Sequence, residues 1–297
     1  MKKFILKLTA FAIIPLGIYL YFAFFVPIPD NLYFEAYSQK DKLLKETPSP
    51  RIVFAGGSSL AFGLDSKRIS DSIGLPVINT ALHAGMGMKF IIDDIETKLR
   101  KGDIVVLAPE FHHFDGAAYG ESMTLPIVLK SAGWKNLHLL NLKQWGILLK
   151  GIPELRKYKK VKFTETTYKA SNFNEYGDEV AHLSLPDVEI PAPAPATNPL
   201  DNEFCEYFAR KLNRIKEKCT VIITPCAHRE SLYNAYKPNI DKIEKKLAEL
   251  GHPFNVPPRK HALHDSCAYD TDYHMNKYGV EIYTGMIIEE LKETLNK

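Results

Sequence analysis

Residues 51–65, RIVFAGGSSLAFGLD, are the stretch of sequence that decides the fold. Residues 52–55 are apolar and partly β-branched, which predicts a short buried strand. The GGSS sequence at 56–59 follows, and its two glycines allow a sharp turn. A serine is therefore predicted where a strand meets a helix, at the sheet edge where α/β proteins bind ligands. Its hydroxyl has three open uses: as a nucleophile, as a helix cap, or within a phosphate-binding loop.

Strands and helices alternate along most of the chain at the spacing of βαβ units, which predicts a parallel sheet with helices on both faces. Before residue 112 the predicted elements are strand 52–55, helix 67–73 capped by Asp65, strand 75–79, helix 88–99 and strand 104–108. After residue 200 they are helix 203–218, strand 219–224, helix 239–250, a short fifth strand at 253–256 and helix 278–295.

The segment from about 112 to 200 lacks this alternation and is predicted to be an insertion over one end of the sheet. It ends in a Pro/Ala-rich stretch, 190–199, that favours extended chain and cannot form a core. The basic run at 156–160 is predicted to be a solvated face. Contact with anionic lipid headgroups or an acidic glycan is the alternative.

The N-terminus predicts a membrane anchor. Residues 8–29 carry no charge, and a bilayer-spanning helix needs about 20 such residues. Lysines precede the stretch, which favours a cytoplasmic N-terminus and an extracytoplasmic domain, in an inner or cytoplasmic membrane. A cleaved signal peptide is the alternative, but its apolar core is shorter. The predicted organisation is an anchor at 1–29, a linker at 30–50 and one domain at 51–297.

The net charge bears on the kind of partner that the domain binds, and the cysteine count bears on whether it contains disulfides. The formal net charge is +3, and three lysines lie within 1–29, so the remaining domain is close to neutral. A near-neutral domain argues against nucleic acid as a partner. The four cysteines permit one or two disulfides in an exported domain or four buried thiols, and the sequence leaves this open.

A second group of reactive residues lies just before the last predicted helix, in the segment 264–279. Asp270, Asp272 and His274 share this short loop. An imidazole acts best as a base towards serine when a carboxylate holds its tautomer. An ordinary helix-capping loop with an exposed histidine is the alternative for this segment.

Residues 57–60 with Gly63 resemble block I of the SGNH/GDSL hydrolases, with Ser58 in place of the usual aspartate. The turn that ends at Gly85 resembles block II, and the Asp-His segment resembles the closing block. The resemblance implies a three-layer α/β/α sandwich around a parallel five-stranded, flavodoxin-like sheet. It also implies that Ser59 is the nucleophile, that His274 is the base, and that the Ser59 and Gly85 N–H groups bind the oxyanion. No cofactor or metal is implied.

The sequence departs from the family pattern at two places. The oxyanion asparagine of block III is missing from the segment 108–113. The acid normally lies three residues before the histidine, where this chain has Thr271. Asp272 has the spacing of membrane-anchored relatives such as alginate O-acetylation proteins and is the preferred triad acid, with Asp270 in reserve.

Side chains near the missing asparagine are predicted to line the substrate cleft. They are Glu110, His112 and His113. His112 and His113 could form a metal pair only if adjacent side chains pointed the same way, which extended chain prevents. His83 is predicted to be structural.

This branch of the family implies an acyl-ester hydrolase or O-acyltransferase that acts on cell-surface or exported polysaccharide, with a membrane-bound O-acyltransferase as partner. The alternative is a catalytically inactive glycan-binding or assembly subunit of such a system, which the missing asparagine allows. A phosphate-binding loop is disfavoured because no lysine follows the glycines at 56–57.

Overall fold

The structure is a computed structural model, and it describes residues 1–27, 29–160 and 167–295. In chain order, its α-helices are α1 (Lys2–Leu20), α2 (Ala36–Glu46), α3 (Ser58–Ala61), α4 (Ser66–Ile73), α5 (Met88–Glu96), α6 (Thr124–Ser131), α7 (Leu142–Gly151), α8 (Asn202–Lys216), α9 (Glu230–Glu249) and α10 (Lys277–Leu295). Its strands are β1 (Ile52–Gly56), β2 (Val77–Asn79), β3 (Ile104–Ala108), β4 (Thr220–Ile223), β5 (His228–Arg229) and β6 (Ala262–Leu263).

The central sheet is parallel, with the strand order β2-β1-β3-β4. Every residue of β1 and β3 is buried, and alternate side chains enter two separate cores because they point to opposite faces of the sheet. One core includes residues of α5, α6, α8 and α9, and the other includes residues of α4 and α10. The prediction of an α/β fold with a parallel sheet is confirmed.

Within the described residues the sheet has four strands rather than the predicted five. Residues 253–256 form no strand, although the Asn255 N–H donates to the Ile223 carbonyl at 2.8 Å and so extends the edge of β4 by one bond. Pro253, Pro257 and Pro258 surround this residue and have no N–H for a ladder. β5 and β6 instead pair with each other as a separate two-stranded parallel sheet.

A buried ion pair joins the residues that precede β1 and β3. The guanidinium of Arg51 lies 3.1 Å from the carboxylate of Asp103, and both side chains are fully buried. Asp103 also accepts from the Ser49 hydroxyl and the Arg100 N–H. Arg51 donates to backbone carbonyls, including that of Lys98. Because every charge here is enclosed, removing one partner leaves the other without solvent or counter-ion.

We expect Asp103→Ala to lower the free energy of unfolding by about 3–5 kcal/mol, the cost of leaving one member of a buried pair unpaired. Chemical denaturation of the full chain in detergent measures this loss. Asp71→Ala is the matched control, because Asp71 forms an exposed pair with Lys67 one helical turn away and such pairs contribute about 0.5 kcal/mol or less. Equal losses for the two variants would contradict the expectation.

The N-terminal helix is long and apolar enough to cross a membrane. An 18-residue window within Lys2–Phe25 has a mean hydropathy of 2.0, and the last turn of this helix, Tyr21–Phe25, is π-helical. The helix thus lies within the predicted anchor, 1–29: it begins before the uncharged stretch that starts at residue 8, and it ends before residue 29. Residue 28 of the predicted anchor lies outside the described residues.

The segment predicted as a linker packs against the domain. Tyr33 donates through its hydroxyl to the Leu82 carbonyl at 2.6 Å. Lys40 of α2 is buried and donates to the Asn79 carbonyl at 3.0 Å, at the end of β2. Its ammonium also lies 4.4 Å from the centre of the Phe173 ring. These contacts fix the chain between α1 and β1 to the sheet and to the insertion.

The insertion contributes to the core as well as covering the sheet. Leu125, Ile127 and Val128 of α6 are fully buried in the core on one face of the sheet. Residues 190–200 have no regular structure, as predicted for the Pro/Ala-rich stretch. Residues 161–166 of the insertion, within the predicted domain, lie outside the described residues, as do 296–297.

The four cysteines are buried free thiols. They are Cys205, Cys219, Cys226 and Cys267. The sequence leaves open whether the cysteines form disulfides or remain thiols, and in the structure they are thiols.

Candidate active site

Ser59 lies at the carboxyl end of β1, in the first turn of the short helix α3. Gly57 precedes this helix, and a Cβ there would collide with the Glu110 carboxylate, so the turn requires glycine. Ser59 Oγ is buried and makes no hydrogen bond within the described part of the chain. Burial raises the pKa of the Cys226 thiol, and the nearby Ser59 hydroxyl opposes part of this rise. The two groups nevertheless form no hydrogen bond of normal geometry.

Glu110 follows β3 and points at the nucleophile turn. Its Oε1 accepts from the Ser59 N–H at 3.0 Å, and its side chain is buried. Burial alone would raise the pKa of Glu110, but His112, His113 and the Ser59 N–H together bring the pKa below its usual value. A carboxylate anion therefore occupies the place where the resembled family has a neutral asparagine.

The positions of Ser59 and Glu110 follow from the strand order. In the order β2-β1-β3-β4 the chain leaves β1 towards one side and β3 towards the other. The segments after these two strands therefore start at the carboxyl edge of the sheet, at the position where open α/β sheets bind ligands. Both side chains lie on those segments.

The second predicted oxyanion donor also has a partner within the chain. The Gly85 N–H donates to Nδ1 of His83 at 3.0 Å. Burial lowers the pKa of His83, which favours the neutral ring that this acceptor role requires. A Cβ on Gly85 would lie 2.6 Å from Thr124 Oγ1, so this turn also needs glycine. Both predicted oxyanion N–H groups are thus occupied by side chains of the protein itself.

His274 is paired with Asp270, and the prediction that Asp272 holds it is wrong. Nδ1 of His274 lies 2.7 Å from Oδ1 of Asp270, and the Tyr168 hydroxyl donates to Oδ2 of the same carboxylate. Burial alone would raise the pKa of Asp270, but the contacts with His274 and Tyr168 keep that pKa below its usual value. Asp270 is therefore an ionised acceptor.

Asp272 binds Arg229 instead. Its Oδ1 accepts from the Arg229 guanidinium at 2.8 Å and 2.5 Å, and its carbonyl accepts from the Arg229 N–H. The loop folds back on itself, with Ala268 and Met275 forming an antiparallel bridge. This fold brings residue 270 beside residue 274 and leaves Asp272 near the tip, where it faces Arg229.

Phe62 connects the nucleophile helix to the histidine loop. It follows α3, and its ring stacks on the His274 imidazole with centroids 4.1 Å apart and planes inclined by 8°. No hydrogen bond joins His274 Nε2 to Ser59 Oγ, because the serine oxygen has no hydrogen-bond partner among the described residues. Stacking thus places the base beside the nucleophile helix.

The insertion braces both halves of the site. The Glu179 N–H donates to the Ala61 carbonyl at the end of α3, at 2.8 Å. His182 pairs with Glu179 through Nδ1, and its Nε2 donates to the Met275 carbonyl at 2.9 Å. Sequence reasoning missed these residues, as well as Tyr168 and Phe62, because no local pattern marks a contact between segments so far apart in the chain.

His112 and His113 lie in the 3₁₀ turn Phe111–Phe114 rather than on the extended chain that the prediction assumed, and they face different surroundings. His113 accepts from the Glu110 N–H through Nδ1 and donates to the Ala84 carbonyl at 3.1 Å through Nε2. Burial lowers its pKa to about 4, so it is a neutral structural residue. His112 is partly exposed, and its Nε2 lies 3.7 Å from Oε2 of Glu110.

The site has three components. It contains a buried serine at a strand–helix turn, an Asp-His pair joined through Nδ1, and a carboxylate bound to the serine N–H. No family model, no curated protein and no solved structure matches this chain.

Proposed function

We propose that this protein is a serine-dependent acyl-ester hydrolase or O-acyltransferase that acts on cell-surface or exported polysaccharide. The observation that carries the proposal is the Asp270–His274 pair, held beside the Ser59 helix by the Phe62 ring. A carboxylate that accepts from Nδ1 fixes the tautomer whose Nε2 takes a proton. The strand order also supports the SGNH resemblance, since it equals the first four positions of the flavodoxin-like order.

In the proposed reaction His274 Nε2 removes the proton of Ser59 Oγ as the oxygen attacks the acyl carbon. The ester C–O bond breaks, and the leaving alcohol receives that proton from His274. Water or a glycan hydroxyl then attacks the acyl-serine, with His274 again as the base; the bond between the acyl carbon and Ser59 Oγ breaks, and His274 returns the proton to that oxygen. Ser59 Oγ must first turn towards His274, because it makes no hydrogen bond with any described residue.

The oxyanion requires a movement of Glu110. The Ser59 N–H lies at the nucleophile and is the natural donor to a developing oxyanion, but in the structure it donates to the Glu110 carboxylate. We place Glu110 as a gate that an incoming acyl group displaces. His112, which is partly exposed beside Glu110, lines the path to it.

The N-terminal helix sets the cellular context of the proposal. With α1 in an inner or cytoplasmic membrane and its lysines on the cytoplasmic side, the catalytic domain lies outside the cytoplasm. A membrane-bound O-acyltransferase is the partner that would supply or use the acyl group there.

A specific observation favours a second candidate, a catalytically inactive glycan-binding or assembly subunit. Both predicted oxyanion donors are already bonded, to Glu110 and to His83. Ser59 Oγ is also enclosed. Internal hydrogen bonds of this kind stabilise the arrangement whether or not the protein catalyses a reaction.

A fluorophosphonate probe separates the two candidates. We expect the full-length protein in detergent to form a covalent adduct at Ser59, detected by peptide mass spectrometry, and to hydrolyse an activated acetyl ester. Ser59→Ala is expected to lose both, whereas Ser58→Ala keeps the adduct and is the matched control. Absence of an adduct, with ester turnover equal to that of Ser59→Ala, would exclude the enzyme and favour the binding subunit.

A further inference from the structure

Helix α7 presents an apolar face to the outside of the protein. Leu142, Trp145 and Leu149 are 90%, 37% and 48% exposed. Their spacings of three and four residues place them on one side of the helix. Gln144 and Leu148 occupy the opposite side and are buried. The helix is therefore apolar towards solvent at the positions where an ordinary surface helix carries charge.

The surroundings of this face are strongly basic. Residues 130–160 contain eight lysines and arginines and a single acidic residue, Glu154. Lys143 pairs with Glu203 and Lys157 pairs with Glu154. Lys150, on α7 itself, forms no ion pair within the described ranges. Clusters of basic residues close to a membrane helix attract anionic lipid headgroups.

The same part of the protein holds the end of α1. The Lys130 ammonium donates to the Ala23 carbonyl in the π-helical turn, and the Phe24 ring packs on Trp134 with centroids 6.2 Å apart. The helical turn Ile152–Lys160, which directly follows α7, also contacts Tyr21–Phe25. The exposed face of α7 thus lies close to the point where α1 leaves a bilayer.

We propose that the α7 face, defined as Leu142, Trp145 and Leu149, lies in the headgroup region of the bilayer that α1 enters, with anionic lipid as its partner. A helix with an apolar face and flanking lysines binds in this plane through buried apolar area and attraction to anionic headgroups. Tryptophan is enriched at this depth because its ring is amphipathic. The domain is then held against the membrane at two places, α1 and α7. None of this depends on Ser59.

The two tryptophans of the chain allow a direct test, since Trp134→Phe leaves Trp145 as the single emitter. The full-length variant is reconstituted into nanodiscs that contain phosphatidylglycerol, with lipids either plain or brominated near the headgroup. We expect brominated lipid to quench Trp145, because bromine quenches only at close contact. Equal Trp145 emission in plain and brominated discs would overturn the proposal and would favour a protein as the partner of the α7 face.

Two further variants control for folding and position. Leu142→Glu with Leu149→Glu, in the Trp134→Phe background, should abolish the quenching while the melting temperature stays unchanged, because both side chains are exposed. Persistent quenching in this variant also counts against the proposal. Tyr278→Trp, in a chain with both native tryptophans replaced by Phe, should stay unquenched, since α10 packs on the opposite face of the sheet from α6.

Discussion

Asp270→Asn is expected to lower serine-dependent ester turnover by roughly 10⁴-fold, the size of effect seen when a triad acid loses its charge. Asn can present an N–H to Nδ1 of His274 and so favour the wrong tautomer, which puts the ring proton on Nε2. Asp270 is the one partner of Nδ1 among the described residues, at 2.7 Å, so the loss should appear in kcat with KM nearly unchanged.

Asp272→Asn is the matched control, since it makes the same change two residues away. Asp272 binds Arg229 and does not contact the His274 ring, so kcat should stay within about threefold of the parent, or under roughly 0.7 kcal/mol. Its effect should instead be a lower melting temperature. A large loss of kcat for Asp272→Asn, with Asp270→Asn close to the parent, would restore the assignment made from sequence spacing.

Glu110→Gln is expected to raise the rate at which a fluorophosphonate labels Ser59 by roughly 10²-fold, the contribution of one oxyanion donor. The carboxylate now holds the Ser59 N–H at 3.0 Å and carries a charge of the same sign as the oxyanion. Glutamine keeps the shape and removes that charge. Its amide can also donate, as the missing asparagine would.

The labelling rate of Glu110→Gln is measured against parent and against Glu121→Gln. Glu121 is an exposed carboxylate near the Gly85 turn and does not contact the Ser59 N–H, so this control removes the same charge away from the nucleophile. A labelling rate for Glu110→Gln at or below that of the parent would show that Glu110 does not close the site. The inactive-subunit proposal would then gain support.

The elements of the sheet could be predicted because their signals are local. The apolar run at 52–55, the glycine-rich turn and the Asp65 cap each act over a few residues, and the structure places β1, α3 and α4 accordingly. The Asp65 carboxylate accepts from the Arg68 N–H at 2.9 Å, as a helix cap does. The fifth strand was predicted wrongly because a short apolar run does not reveal whether an edge is available for pairing.

The candidate site also has features that local sequence predicts and features that it does not. Ser59 at the strand–helix turn and His274 in an acidic loop follow from composition and order along the chain, as does the membrane length of α1. These features depend on neighbouring residues, so the sequence by itself determined them.

Only the tertiary structure decided which groups meet. Asp270 rather than Asp272 reaches His274 because the loop folds back on itself. Glu110 reaches the Ser59 N–H because β1 and β3 are adjacent in the sheet, and Glu179 reaches α3 from the insertion. Each contact joins segments whose approach depends on strand order and loop path. The burial of the site residues, their charge states and their hydrogen-bond partners follow from the way these segments come together, so no local sequence pattern predicts them.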